Sequence, residues 1–503
     1  MQERVRWNSA PIRDRRVDQT RLVLNDKRVD QRAFSFLVIG DSGSGQHRGH
    51  HPQRRIAEQM LQHRDDCRFI LHTGDVIYLV GSSEFYPKNF IEPYREFLVN
   101  GNHYDRISFD QMTFNIPFLP VLGNHDYYDL PVAYGLIIQA TYPLRKLLQS
   151  KLDFDVRLHG SFQGKAFAQA FMDSLWMLDR QGKLEAHLDR HYTAETSTGR
   201  CLHYETGSFT RIPNRYYSFR YGGIDFFALD SNTFNEPIPI STDAEGQEYR
   251  QTLQNRRKAV ELEMQELIDH STKLDLSKPE DSEQVDDIRT KLQQLEEVQI
   301  DIDKQLNTDH PVVTDSEQLD WLRDRLIESW NTEEVRGRIV YFHHPPYVTE
   351  ATKWHQAQTL AIRSRLRTVL DQVAKAVDSR ERPIIDLVLN GHAHCFEYLR
   401  TVDTGHADSN MNWIVCGGSG YSLRRQRVEG AELFEQFRNE DRLVAKSQLF
   451  VGREGRGSEK RRPYSFLRID VTQDDPVKYV IRPYVSEWAG RQWHDRALES
   501  FVI

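Results

Sequence analysis

Short, continuous apolar runs recur along the chain at Phe34–Ile39, Arg68–His72, Phe118–Leu122, Ile224–Leu229, Arg338–Phe342, Ile384–Leu389 and Trp413–Cys416. They are rich in β-branched and aromatic residues and are bounded by turn chemistry, which is the pattern of strands covered on both faces. Between several of them lie stretches with helical spacing, such as Arg54–Arg64 and Glu317–Trp330. Alternation of buried strand and helix predicts a layered α/β protein.

Two segments interrupt that alternation. From Ala133 to Thr210 the pattern turns helical (Leu136–Leu152, Gly164–Leu178, Gly182–His191) and ends in a Ser/Thr/Gly-rich stretch, Thr193–Arg200, that reads as a loop. From Gly246 to Leu306 the chain is charged and Gln-rich. Apolar positions there fall at Leu253, Val260, Met264 and Leu267, then at Val285, Ile288, Leu292, Leu295, Ile302 and Leu306, on either side of the breaker Ser277–Asp281. Spacings of 3, 4 and 7 on each arm predict an antiparallel helical hairpin with coiled-coil-like seams. Such a hairpin is either an arm for a protein partner or for self-association, or a decoration packed on itself or on the core. Near the C-terminus Tyr464–Val471 and Lys478–Val485 read as strands, followed by Trp488 and Trp493.

Residues 1–32 are therefore expected to form an N-terminal arm and 33–132 the first part of a core. A helical insertion (133–213), two core strands (214–245), the hairpin (246–310), the second part of the core (311–425) and a β-rich tail (426–503) follow.

Charge and composition narrow the function. The chain has 503 residues, with 66 Lys+Arg against 74 Asp+Glu and a net charge of −8. That balance excludes a generic electrostatic grip on nucleic acid or on an anionic membrane. The 39% hydrophobic content fits one polar, exposed segment, which is the hairpin. No run approaches the ~20 apolar residues of a membrane span, and the Arg-rich start lacks the apolar stretch of a secretory signal; a soluble, cytoplasmic protein is expected. Cys67, Cys201, Cys395 and Cys416 are too far apart for a disulfide framework or a CxxC metal site.

Chemistry gathers where predicted strands end. Phe34–Ile39 runs into Gly40-Asp41-Ser42-Gly43, Arg68–His72 into Gly74-Asp75-Val76-Ile77-Tyr78, and Phe118–Leu122 into Gly123-Asn124-His125-Asp126. Later come Val340-Tyr341-Phe342-His343-His344-Pro345 and Asn390-Gly391-His392-Ala393-His394. Open α/β sheets place their ligands at such ends. Asp41, Asp75, Asn124, His343, His392 and His394 together make a mixed oxygen and nitrogen set suited to two divalent or trivalent first-row metals.

The ordered pattern GDxG, GDxxY, GNHD, VxxH, GHxH resembles the calcineurin-like metallophosphoesterases, and within them the purple acid phosphatase branch. Gln318–Leu322 and Arg215–Asp230 agree with the family's neighbourhood. The resemblance implies a four-layer αββα sandwich carrying two helical insertions. It implies a first metal on Asp41, Asp75, Tyr78 and His394, and a second on Asp75, Asn124, His343 and His392, with Asp75 bridging. Most of the superfamily has Asp-x-His in the first motif, whereas Gly43 stands here at the His position. The resemblance supplies a phenolate from Tyr78 instead, which favours Fe(III) beside a divalent iron, zinc or manganese ion. Two divalent ions, with Tyr78 packing beside Ile77, Leu79 and Val80, are the other reading.

The implied activity is hydrolysis of a small-molecule phosphate ester by a metal-activated hydroxide, as in an acid phosphatase-like phosphomonoesterase. The alternatives are a metallophosphodiesterase or nucleotide pyrophosphatase, or a non-catalytic scaffold working through its hairpin. By the same resemblance His125 faces the phosphate and His355 is the candidate for a further catalytic His; a carboxylate–histidine contact would let Asp126 orient the His125 ring, and His344, at a position that varies in the family, either contacts the phosphate of the substrate or stands behind the metal ligands. Deleting Gln247–Leu306 is expected to leave metal binding intact.

Overall fold

The computed structural model describes residues 9–26, 31–45, 50–78, 80–129, 161–275, 279–308, 314–377, 379, 382–437, 440–455 and 460–503. The expected helix Leu136–Leu152 lies outside them. Among the described residues the strands form two facing mixed sheets, of eleven and seven strands, and a two-stranded ribbon.

The smaller sheet is centred on Phe34–Ile39, which runs parallel to Cys67–His72, itself parallel to Phe118–Pro120. The larger is centred on Gly337–Tyr341, parallel to Ile224–Ala228 on one side and to Leu387–Asn390 on the other. These strands are buried at every position, so both faces must be covered. Aromatic rings fill the space between the sheets: Phe69 lies edge-on to Phe219 and Phe226, with centroids 5.5 and 5.2 Å apart, and Phe36 meets Phe226 at 5.6 Å.

The outer face of the larger sheet, through Phe227, Val340, Val388 and Trp413, packs on Trp321, Leu322 and Leu326 of the helix Ser316–Trp330 and on Ile362, Leu366 and Val369 of the helix Ala357–Val377. The helix Pro52–Gln62 covers the smaller sheet with Ile56 and Met60. Helix, sheet, sheet and helix thus stack as the four layers expected. No helix among the described residues is long and apolar enough to cross a membrane.

Two stretches take a different form from the one their sequence suggests. Within the supposed arm, Val17–Asn25 is a strand of the larger sheet, parallel to Gly199–Glu205 and to Tyr217–Tyr221. Its polar residues concealed it: Asp18 and Thr20 are buried, but Thr20 Oγ1 accepts from Trp321 Nε1 at 2.9 Å and Asp18 pairs with Arg325. The Thr193–Arg200 stretch is not a loop but the tip of a hairpin, with Ala194–Thr196 as the edge strand and Gly199–Glu205 beside it. Edge strands are half-exposed and need no apolar run. The tail completes the smaller sheet, with Pro463–Val471 antiparallel to Phe34–Ile39 and Tyr479–Ala489 beside it.

The polar segment forms two long helices, Ala244–Ser271 and Pro279–Asn307. They run antiparallel, with Arg257 on Asp303 and Lys291 on Glu263 across the pair. Their buried residues Leu253, Val260, Leu295, Val298 and Ile302 form an apolar cluster of their own.

Candidate metal centre

Parallel strands deliver their C-terminal ends to one edge, and the two sheets bring five such ends together. The turns that follow are held backbone to backbone: Asp41 N donates to Gly74 O at 3.0 Å, Ser42 N to Asp75 O at 3.2 Å, and Tyr78 N to Gly43 O at 2.7 Å. Four of the seven expected ligands adopt left-handed backbone conformations, with φ of 54° at Asp41, 55° at Asp75, 67° at His392 and 46° at His394. Each such residue costs about 1–3 kcal/mol and persists only where its surroundings over-determine it, most often at functional sites.

The departure at Gly43 has a steric cause. A Cβ on Gly43 would lie 1.8 Å from Val76 O, so no imidazole fits there, and the chain that crowds it carries Tyr78 into the cluster instead. Gly123 is similarly constrained, since its Cβ would stand 2.0 Å from Asp75 Oδ1.

The side chains meet in two adjoining groups. In one, Tyr78 Oη lies 2.7 Å from Asp41 Oδ1, 2.5 Å from Asp75 Oδ2 and 3.0 Å from His394 Nε2. In the other, Asn124 Oδ1 is 3.0 Å from His343 Nε2 and 3.1 Å from His392 Nδ1. Asp75 Oδ2 joins them, 3.3 Å from His343 Nε2. Asp41, Asp75 and His343 offer atoms within 4.8 Å of one another, as do His343, His344 and His392.

Burial and neighbouring charge compete at these side chains. Burial raises the Asp41 carboxyl to about 8, helped by the neighbouring Asp75 carboxylate and resisted by His343. Burial also opposes charge on Asp75, yet His343 and His125 outweigh it and hold that carboxyl low. Burial opposes charge on the His343 ring, but Asp75 raises it to about 9. Burial lowers the pKa of His392 and His394, as do the cations Lys353 beside the first and Arg424 beside the second. Neutral imidazoles and deprotonated oxygens are the forms that bind metal. Asp75, His392 and His394 are thus already in such forms, whereas Asp41, Tyr78 and His343 would release protons on binding a cation, and two groups of three, Asp41, Asp75 and His343 and then His343, His344 and His392, lie close enough together to hold a metal ion.

The residues expected around this set fare differently. His125 lies beside it, its N–H donating to Asp75 Oδ1 at 2.9 Å and its ring 4.5 Å from that of Tyr78. Asp126 is a correction: both its oxygens accept main-chain N–H groups, from Val76 and Ile77 at 3.0–3.2 Å and from Gly123 at 2.9 Å. It fixes the turns that carry Asp75, Tyr78 and Asn124 rather than the His125 ring. His344 is buried against His392, with ring centroids 4.5 Å apart, and its Nδ1 is 2.8 Å from Ser231 Oγ. His355 is the second correction. It is exposed on a turn beside Trp354, and the charges around it belong to Arg427, Arg256, Arg363 and Glu429, none of them in the cluster.

Sequence reasoning missed several neighbours. Tyr421 stacks on Tyr78 at 3.9 Å and 3°, and Arg424 Nε donates to His394 Nδ1 at 3.3 Å. Both follow the strand Asn412–Cys416 and its turn Gly417-Gly418-Ser419-Gly420, a sixth strand end of the same kind, so the signal was present. Gln358 Nε2, 3.1 Å from His392 Nε2, and Lys353 carried no such signal.

No family model and no curated protein matches the chain. Solved structures do. GAP50, the anchor in the inner membrane complex of Plasmodium, matches at 12% identity over 93% of this chain and 89% of its own, with a TM-score of 0.38. The purple acid phosphatase PPD1 from seeds of yellow lupin, Lupinus luteus, matches at 12% identity over 93% of this chain and 53% of its own, with a TM-score of 0.42. PhoD matches at 12% identity over 94% and 70%, with a TM-score of 0.39. Likenesses this distant transfer no residue roles, and the reading of the site rests on its own side chains.

Proposed function

We propose that this protein is a dinuclear metal-dependent hydrolase of phosphate esters. The observation that carries the reading is the meeting of Asp41, Asp75, Tyr78, Asn124, His343, His392 and His394, from five strand ends, within hydrogen-bonding distance of one another. Two bound metal ions would supply Lewis acidity toward a phosphoryl oxygen and lower the pKa of a water molecule. Around them the chain's own groups set the geometry. The Asp75 carboxylate joins the two groups of donors. His125, which follows the ligand Asn124 and borders Tyr78, can donate to a phosphoryl oxygen or protonate a leaving alkoxide. Asp126 keeps Asp75 and Asn124 in register through three main-chain N–H groups. His344, behind His392 and oriented by Ser231, supports that ring from within.

Tyr78 gives the first site a hard anionic oxygen, so Fe(III) with a divalent partner is the proposed pair. Two measurements check these points. Metal analysis together with hydrolysis of p-nitrophenyl phosphate should show two equivalents of metal and a phosphomonoesterase, with Asp75→Asn lowering kcat at least about 100-fold, since even groups that only support a ligand are worth 10–100-fold. Metal-replete, mildly oxidised protein should carry a tyrosinate-to-iron absorption band in the visible, absent from Tyr78→Phe. A colourless protein with both sites filled would assign two divalent ions and leave Tyr78 a packing role. Full metal occupancy without hydrolysis of any mono- or diester would favour the scaffold reading.

A further inference from the structure

The second hairpin helix brings a carboxylate to the metal centre. Glu297 accepts from Lys353 Nζ at 2.9 Å through one oxygen and from Arg424 Nη2 at 2.8 Å through the other. The two cationic side chains are 4% and 2% exposed, whereas that of Glu297 is 35% exposed. Arg424 reaches His394 directly, and Lys353 is near enough to His344, His392 and His394 to weigh on all three. The other acid facing this pair is Glu350, fully buried and bonded to Thr352. Two buried cations beside the proposed metal site thus converge on one partly exposed anion.

That anion belongs to an element outside the four layers. The hairpin's buried apolar cluster is internal, and polar groups tie its second helix to the body. Asp287 pairs with Arg453 and Lys460, and Asp301 accepts from the main-chain N–H groups of Ala357 and Gln358 at 2.8 and 3.3 Å, at the start of the helix Ala357–Val377. An ammonium and a guanidinium gripping the two oxygens of one planar anion is also how proteins hold a phosphate. A buried cation without a counter-charge is costly, so the pair needs an anion at all times. Lys353 and Arg424 hold Glu297 ionised, so only an oxyanion that carries more charge than one carboxylate can take its place.

We propose that Lys353 and Arg424 form an anion subsite beside the metal centre, which receives the non-reacting phosphate of a substrate with two linked phosphates, a phosphoanhydride, and that Glu297 is its resident occupant until such a substrate displaces it. The choice of substrate rests on the phosphoesterase reading above; the anion subsite itself does not.

The test separates the two. Binding of inorganic phosphate to chelator-treated, metal-free protein is measured by calorimetry at constant ionic strength. Glu297→Gln should bind phosphate at least about 10-fold more tightly than the wild type, and Glu297→Gln/Lys353→Met should lose that gain. Equal affinity in wild type and Glu297→Gln, or a gain that survives in the double variant, overturns the subsite whatever the fate of the metal reading. Should the variants not fold, hydrogen exchange of metal-loaded wild type decides. Saturating methylenediphosphonate should speed exchange along residues 287–306, and unchanged exchange there overturns the displacement of Glu297.

Discussion

Two neighbouring residues show how the same letters can serve different ends. Asn124 and Asp126 lie in one turn, yet Asn124 faces the imidazoles of His343 and His392 while Asp126 faces backwards onto three N–H groups. A buried acceptor that serves several donors cannot be removed cheaply, because each is left unsatisfied. Asp126→Ala is expected to destabilise the protein by about 2–4 kcal/mol in urea denaturation. An orienting role for the His125 ring would instead spare stability and lower kcat alone. Gly43 makes a complementary case: its neighbours Val76 and Ile77 exclude any side chain, and the same closeness places Tyr78. The substitution of Gly for His was visible in the sequence, whereas the steric reason for it was not.

Among the elements, the hairpin departs furthest from what its own pattern implies. Its periodicity announces two helices, and apolar positions at Leu253, Val260, Leu295 and Ile302 do face each other. Nothing in that periodicity marks Asp287, Glu297 or Asp301, which sit among many other acids on a polar helix and are singled out only by the cations and N–H groups opposite them. Asp301 caps a helix that begins 56 residues later in the chain. Losing a cap of this kind costs ~1 kcal/mol, so Asp301→Ala should lower stability by about that amount without altering metal content. Polar contacts from Glu297 and Asp301 also tie the hairpin to the body. Deleting Gln247–Leu306 strips Lys353 and Arg424 of their counter-charge, and the shortened protein is expected to unfold at lower denaturant than the parent. An unchanged midpoint would show that another anion takes the place of Glu297.

For the molecule as a whole, the termini close the architecture. Phe34–Ile39, which carries Asp41 at its end, is paired on one side by Cys67–His72 and on the other by Pro463–Val471. Truncation after residue 425 removes that second partner, so the shortened chain should show no cooperative unfolding transition. Global stability should also record the buried charges. In metal-free protein, groups whose pKa is raised hold more protons in the folded state, so stability falls as pH rises through their titration. Asp126 and Glu397, raised to about 7, lose their contribution between the ordinary carboxylate range and neutrality, whereas Asp41 at about 8 and His343 at about 9 go on acting in this sense above it. His72, His344, His392 and His394, buried with lowered pKa, act oppositely below their ordinary value of 6.5. Below pH 6.5 the two sets oppose each other, so the expected signature in thermal scans of the metal-free protein is a decline in stability from pH 6.5 to 9, one that bound metal abolishes. A flat profile between pH 6.5 and 9 would mean that these acids are ionised in the apo fold.

What the sequence determined was whatever is encoded locally. Continuous apolar runs fixed the strands covered on both faces, and glycine-flanked Asp, Asn and His marked their ends, because strand burial and turn geometry are properties of a few adjacent residues. That is why the layered fold and six of the side chains that meet at the strand ends were legible from local pattern, while Tyr78 was suggested by the family resemblance alone. Tertiary structure alone decided which polar residues were buried and what satisfied them. Thr20 became a strand residue through Trp321, Asp126 became the anchor of two turns, His355 was left in solvent, and Glu297 was set between two cations. In each case the deciding partner is distant in the chain, and the energy of a polar group depends on the partner it meets rather than on its neighbours in sequence.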